Sequence, residues 1–559
     1  MIAAKVFSGL CLLMCFTSCK KDASNAAGAD QNPNQPSNFS LTVIKLDGKN
    51  SGSNYYTTAT NPVIKISFSA PLNRTSVSSG IMLTNASDQA VACNTSFQNG
   101  DSTVVITPAQ PLAYISRYSL SSNSVLKSAG NAVLATPVTA RIITPVDNKD
   151  KFPIVSDDEL LTLVQKQTFK YFWNFGHPVS GLARERNTSG DVVTTGGSGF
   201  GLMAMVTAVN RQFITREEGL ARVQTIVSFL KNKAQTFHGA FPHWLNGTTG
   251  AVVPFSAQDN GADLVETSFL MEGLLVTRQY FKGSSAAEIA LRNDINSLYQ
   301  NVEWDWFRQG NQNTLYWHWS PNQGFAINMP ITGWNEALVT YVLAASSTSH
   351  GIPKAMYDSG WAKKAAIKNG SSYYNVQLPL GPALGGPLFF EHYSFMGINP
   401  NGLTDTYADY QVQTRAHALI NYNYCKANPK GNNGYSENCW GLTASDIPNG
   451  YTASSPSNDV GVIAPTAALA SFPYTPMESM QALKFFYYKL GDKLWGEYGF
   501  YDAFSLNDAW FASSTLAIDQ GPIIVMIENY RSSLIWNLFM SCPEVKTGMK
   551  NLGFKSANL

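Results

Sequence analysis

The sequence predicts a mainly α protein, an (α/α)6 toroid of helical hairpins closed into a ring, preceded by a small all-β sandwich. Three features predict this. Residues 39–145 break into short alternating apolar runs, the remainder holds about a dozen helical segments of similar length, and those segments are joined by long loops rich in aromatic residues and glycine. An open helical solenoid would need an internal period, and the sequence shows none.

At 559 residues, 44% hydrophobic and 12% aromatic, the chain can bury a large core and has room for more than one domain. The formal charge is +1 and no run of Lys or Arg could track a phosphate backbone, so nucleic acid and anionic membrane surfaces are excluded as partners and a neutral ligand is favoured. Lys5 precedes an apolar run, 6–16, too short to span a bilayer and of the size of a signal-peptide core. It ends in FTSCKKD, where Thr17 and Ser18 before Cys19 resemble a bacterial lipobox. The expectation is a lipoprotein signal peptide at 1–18, lipidation of Cys19, and a flexible tether at 19–38. The protein is then exported, lipid-anchored to the cell envelope or periplasmic or secreted, monomeric, and in contact with membrane through the anchor alone.

In order along the chain, SLTVIKL, NPVIKISFS, GIMLTN, STVVITP, RYSLSS and TARIIT alternate as strands of an antiparallel sandwich over 39–147. The phrases VIKISFSAPLN, VVITPAQPLAYISRYSL and LKSAGNAVL resemble bacterial Ig-like domains that precede secreted catalytic modules, which implies a spacer. The pattern breaks at VDNKDKFPIV, and a helical domain occupies 153–559. Ser156 with Glu159, and Thr215 with Glu218, read as capping boxes that open helices over 156–175 and 215–236; Thr475 with Glu478 reads as a third, with Pro476 first in the helix. Apolar periodicity predicts further helices at 200–210, 262–280, 286–299, 332–349, 353–365, 407–426, 464–472 and 521–540, with a short one near 389–395. Glu528 and Arg531 read as an i, i+3 ion pair.

Cys11 and Cys15 fall within the signal. Cys425 and Cys439 bracket the polar loop KANPKGNNGYSEN, which an exported protein could close with a disulfide. Cys93 and Cys542 sit in apolar contexts and read as small buried residues; no His or Cys spacing reads as a metal site, so neither metal nor cofactor is expected.

The loops carry the chemistry. HGAFPHWLN, EWDWF, TLYWHWSPNQGF and ITGWNEA set aromatic side chains in polar surroundings, as a neutral carbohydrate requires: rings stack on sugar faces while polar groups bond the hydroxyls. Asp259, Asp263 and Glu266, at i, i+4 and i+7, would share one row if their helix starts early enough. Such neighbours are too close to form an inverting glycosidase pair, whose carboxyls stand roughly 6.5 to 9.5 Å apart, so a partner from another helix is wanted. Glu336 in GWNEA has an apolar, aromatic setting that would keep it protonated, and Asp519 in AIDQGP is the other candidate or a plain N-cap.

GLARER, TTGGSGFGLMAM, HGAFPHWLNGTTG, DNGADLVETSFLMEGLL, LYWHWSPNQGFAINMPITGWNEA, PLFFEHYSFMGINP, DTYADYQVQTRAH, WGLTASDIPNGYTA and DQGPIIVMIENYRSSLIW follow one another across 156–554. Together they resemble the glucoamylase-like helical toroid enzymes, most narrowly glycoside hydrolase family 144, the bacterial β-1,2-glucanases. The resemblance implies an inverting hydrolase of linear or cyclic β-1,2-glucan that needs no metal, with acidic cleft residues at Asp259, Asp263, Glu266 and Glu336. Glu336 is then the general acid and Asp263 the base-side or water-positioning group, directly or through a relay; Asp259 and Glu266 tune the site or bind hydroxyls. Trp317, His318, Trp334, His392, Tyr393, Trp440 and Asp519 are placed around the sugars. A non-catalytic glucan-capture lipoprotein and an exo-acting hydrolase releasing disaccharides are the alternatives. A lyase of uronic acids would need a basic cleft, and the Arg and Lys here are scattered.

Overall fold

The computed structural model describes residues 39–559, so the expected signal peptide, the expected lipidation site at Cys19 and the expected tether lie outside the described residues. The alternating runs form two four-stranded sheets. In spatial order one is Leu41–Leu46, Ile64–Phe68, Thr103–Pro108 and Cys93–Gln98; the other is Asn54–Tyr55, Thr139–Ile143, Arg117–Ser122 and Ile81–Asn85. Ile64 pairs with Ile106 and Ile66 with Val104, so same-face apolar residues meet across strands and fill the space between the sheets.

In the helical domain two kinds of helix alternate along the chain. The outer ones are Asp157–Trp173, Arg216–Asn232, Ala286–Gln300, the run Lys354–Met356 with Tyr357–Trp361, Tyr410–Ala427, and Pro476–Lys484. Each is followed by an inner one: Thr195–Asn210, Leu264–Tyr280, Leu338–Ser346, the short Leu388–Glu391, Pro465–Leu469 and Ala517–Ser532. Asp157–Trp173 buries Leu160, Leu161, Val164, Thr168, Phe169 and Phe172 on one stripe, whereas every residue of Thr195–Asn210 except Asn210 is buried. Helices apolar on one stripe belong outside, and helices apolar all round belong inside. Six such pairs make the (α/α)6 toroid.

The first two capping boxes form as read. The third does not: Thr475 precedes the helix, but its hydroxyl turns back to the Ser471 carbonyl (3.3 Å) and pairs with Ser479 (3.2 Å). The predicted helix over 332–349 begins at Leu338, leaving Glu336 in the turn before it. The one over 521–540 starts earlier, at Ala517, and breaks at Ser533, whose left-handed φ of 58° separates Leu534–Met540. Asp519 is therefore inside the helix and is not its N-cap. Glu528 and Arg531 do not pair with each other; Glu528 takes Arg211 Nε (2.7 Å) and Arg531 reaches Asp158 (2.7 Å).

The expected disulfide is absent. Cys425, in the outer helix Tyr410–Ala427, and Cys439 are both buried free thiols. Hydrogen bonds close their loop instead: Asn428 and Asn432 exchange bonds of 2.8 Å, and Asn432 and Tyr435 both donate to Asp459 at 2.8 Å. The polar, Asn-rich composition that suggested a cross-link supplies the closure by itself.

Two glycines set the packing of the ring. A Cβ on Gly199 would lie 2.1 Å from the Phe269 carbonyl oxygen, and one on Gly273 would lie 2.1 Å from that of Gly199. Helices Thr195–Asn210 and Leu264–Tyr280 can approach this closely with glycine at both points. Gly273→Val should cost about 3 kcal/mol in denaturant unfolding, because the clash is with backbone and has no rotamer escape. A loss under about 1 kcal/mol would show that the crossing can open.

Candidate active site

The close crossing brings carboxylates to one end of the ring. Asp263 is the N-cap of Leu264–Tyr280; one of its oxygens accepts the backbone N–H of Val265 (3.1 Å) and of Glu266 (3.0 Å), as a helix N-terminus demands. Its other oxygen is 3.0 Å from His243 Nδ1. Ala262–Asp263 pairs as a two-residue strand with His318–Trp319, which places His318 Nε2 3.6 Å from both Asp259 and Asp263. Glu266, one turn into the helix, accepts the N–H of Gly196 (2.7 Å) in the first turn of the neighbouring inner helix. The expected single row is thus corrected: Asp259 lies in the loop before the helix and Asp263 at its cap, and the loop folds back to bring Asp259 beside them.

Glu336 comes from the turn before Leu338–Ser346. Ser394 fixes that turn: its hydroxyl donates to the Glu336 carbonyl and accepts Val339 N–H (2.9 Å). Trp334 is held by its indole N–H on buried Glu391 (2.7 Å), which also takes Gln413 and His417 (2.8 Å each).

Charges in this site are sorted by burial and partners. Burial pushes the Glu336 carboxyl up to about 7, helped by the nearby charges of Glu266 and Asp263. Burial also raises Glu266 to about 7 and lifts Asp259, with Asp263's charge adding to both. Asp263 goes the other way: burial would raise it, but the His243 bond, the charges of His318 and His243, and the helix amides hold it below the usual carboxylate range. Burial works against a charge on His243, yet Glu266, Asp263 and Asp259 together raise it to about 9.

These groups open into a cleft of about 510 Å³ whose walls include Glu266, Glu336, His243, Trp244, Phe255 and Trp317 on one side and Phe389, Tyr393, Tyr451, Glu185 and Arg186 around the rest. Arg186 bonds Glu185 (3.0 Å) and Asp446 (3.2 Å). Behind Tyr393 and Tyr451, whose phenols feel its charge, Asp519 is buried beside Asp502. Burial and then the Asp502 carboxyl raise Asp519 well above the ordinary range, while burial and the charge of Asp446 raise Asp502 to about 6 against the lowering effect of its contact with Asp519.

Of the residues read from the sequence, Glu266, Glu336, Trp317 and Tyr393 line the cleft, and Asp263, Asp259 and His318 join it through His243 and one another. Four do not reach it, buried Asp519 among them. Trp440 is fully buried with its indole on the Glu478 carbonyl (3.1 Å), and Trp334 packs behind Glu336. His392 is buried on Ser471 (3.0 Å), and burial and His417 push it down to about 3, leaving it neutral. Arg186, Trp244, Phe255 and Tyr451 line the cleft without having been singled out; the signal available for Arg186 was its place in GLARER.

His243, Asp259 and Asp263 are, among the described residues, the one group whose ligand atoms lie within the 4.8 Å that a metal ion spans. His243 Nδ1 and Asp263 already face each other as hydrogen-bond partners, a contact that a cation would have to break.

A family model described as "Putative glucoamylase" matches residues 328–543, and one for a bacterial Ig-like domain matches 40–152. The structure of an endo-β-1,2-glucanase from Chitinophaga pinensis, in complex with sophorotriose and glucose, is 51% identical, with a TM-score of 0.71 over 73% of this chain and 100% of that one. A β-1,2-glucanase structure from Parabacteroides distasonis is 38% identical, TM-score 0.70, over 92% of this chain and 73% of that one. An exo-β-1,2-glucooligosaccharide sophorohydrolase acting from the non-reducing end, also from P. distasonis, is 48% identical over 421 residues, 71% of this chain; the match spans 58% of the length of that relative.

One consequence of the charge arrangement is testable by stability. A histidine ordinarily titrates near 6.5, so with a folded value of about 9 His243 contributes stability in full below about pH 6.5 and loses it as pH rises through about 9. The lead in melting temperature of the wild type over His243→Gln should shrink between about pH 6.5 and about pH 9. A constant difference across that window would mean that His243 is not held as a cation.

With an acidic, aromatic-walled cleft at one end of an (α/α)6 ring and a 51% identical solved relative matched over its whole length, the chain belongs to the glucoamylase-like helical toroid glycoside hydrolases of family 144.

Proposed function

We propose that the protein is an exported, lipid-anchored endo-β-1,2-glucan hydrolase that inverts the anomeric centre, with Glu336 as general acid. The observation that carries this is a Glu336 carboxyl on the wall of an aromatic cleft, pushed up to about 7, with the fully buried Asp263 carboxylate held ionised near enough for its charge to act on Glu336. Near neutrality Glu336 can give its proton to the leaving glycosidic oxygen. Both oxygens of Asp263 are engaged by protein donors, so activation of the attacking water runs through a relay, with His318 and Asp259 beside it. Asp259 and Glu266 shape the field and bind hydroxyls; Trp317, Tyr393, Tyr451 and Phe389 offer faces to the sugar rings. The protein works as a monomer without cofactor, and membrane contact comes through lipid on Cys19.

The likeness to an endo enzyme at 51% identity over that relative's whole length supports internal cleavage, and the sophorohydrolase at 48% supports a second reading, exo release of disaccharides. Incubation with linear β-1,2-glucan, laminarin, cellulose and starch separates the readings. Mixed short β-1,2-oligosaccharides from the first substrate, with new reducing ends appearing as the α anomer by NMR, are expected. Disaccharide alone from the earliest time would favour the exo reading. Retention of glucan without any product would make this a capture protein. Glu336→Gln should lower kcat by about 10²- to 10⁴-fold with glucan binding kept, and wild-type kcat should fall as pH rises through about 7, where Glu336 loses its proton.

A further inference from the structure

The two domains are locked together. Arg141 of the sandwich bonds the Asn507 carbonyl (2.7 Å) and Asp508 (2.5 Å), and Ile115 is buried among the core residues of the helical domain. Between them runs a groove of about 850 Å³, with Ser87 and Arg117 on the sandwich side and Asn449 and Trp510 on the helical side. A second hollow of about 530 Å³ joins this groove to the active-site cleft: it shares Arg186 and Tyr451 with the cleft, and Ile447 and Trp510 with the groove. The three spaces lie in series between the cleft and the sandwich, each sharing wall residues with the next.

Trp510 stands where hollow and groove meet. It is half-buried, and among the described residues its ring packs on no other aromatic ring and its indole N–H has no acceptor. The side chains of Asn449, Ser87 and Arg117 likewise make no hydrogen bond to protein among the described residues. Asp508 is neutralised by Arg141. A flat unpaired ring, a free amide, a hydroxyl and a planar guanidinium, with little net charge, suit a neutral polyhydroxylated chain and offer nothing to a polyanion beyond one arginine.

We propose that this inter-domain groove is a remote binding stretch for the glucan chain, with Trp510 as its stacking platform and the Ig-like domain as its second wall. The inference rests on the glucan hydrolase reading above. The sandwich is then part of the substrate track, and chains long enough to reach the groove bind more tightly than those confined to the cleft.

The test compares a long linear β-1,2-glucan with the shortest β-1,2-oligosaccharide that the wild-type protein cleaves, using the full mature chain. Trp510→Ala should lower kcat/KM on the long glucan about 3- to 10-fold and leave the short substrate unchanged. Ser87→Trp, at an exposed turn of the sandwich and away from the helical domain's packing, should produce the same asymmetry by filling the groove from the other wall. Equal losses on both substrates, or no change on the long one in either variant, overturns the proposal while the hydrolase reading stands. A wild type inactive on β-1,2-glucan of every length overturns the hydrolase reading and the groove's occupant with it.

Discussion

Asp263 is the residue on which the site depends, because it satisfies three demands with two oxygens. It caps a deeply buried inner helix, it anchors His243, and it remains ionised where its neighbours are driven toward the neutral form. A carboxylate with no solvent exposure survives as an anion when hydrogen-bond donors and a cation surround it. Once that charge is fixed, it raises Asp259, Glu266 and Glu336 by repulsion on top of their own burial. One ionised and several near-neutral carboxyls in a single cleft is the division of labour that acid–base cleavage of a glycosidic bond needs.

That electrostatic order rests on close packing. Glu266 reaches Gly196 because the two inner helices cross at Gly199 and Gly273 with no side chain between them. The same logic recurs around the ring. Ser394 ties the Glu336 turn to the segment that carries Tyr393, and Glu391 holds Trp334 behind it, so Glu336 and the cleft wall are fixed to each other. Some buried polar side chains of the inner layer bond across to other segments, as Glu272 takes the Gly397 N–H (2.9 Å) and Asn529 donates to the Met396 carbonyl (2.9 Å), which ties the loops to the ring.

The sandwich joins this frame through the Arg141 ion pair and the apolar plug of Ile115, and its edge borders a groove that shares wall residues with the hollow beside the cleft. A spacer would need neither a fixed orientation nor a polar groove at its joint. Trp510, which among the described residues has no ring or indole partner, stands at the junction where the proposed glucan track meets the second domain.

Much was legible in the linear chain. Apolar periodicity and two capping boxes located most helices, since helix start signals and the 3.6-residue repeat are local properties. Alternation located the sandwich for the same reason. The motifs also led to Asp259, Asp263, Glu266 and Glu336 as the acidic set. The third capping box failed because Thr475 found a nearer partner in Ser471, and the disulfide failed because the Asn428–Asn432 and Asp459 bonds already close the loop. Trp440, Trp334 and His392 were misplaced because an aromatic beside polar residues looks the same in sequence whether those neighbours bond to water or to the core. By itself the sequence determined the order of elements and the identity of the carboxylates. The tertiary structure alone decided which carboxylate stays charged, which aromatics face the cleft and what lies between the domains, because those depend on donors and walls brought together from segments far apart in the chain.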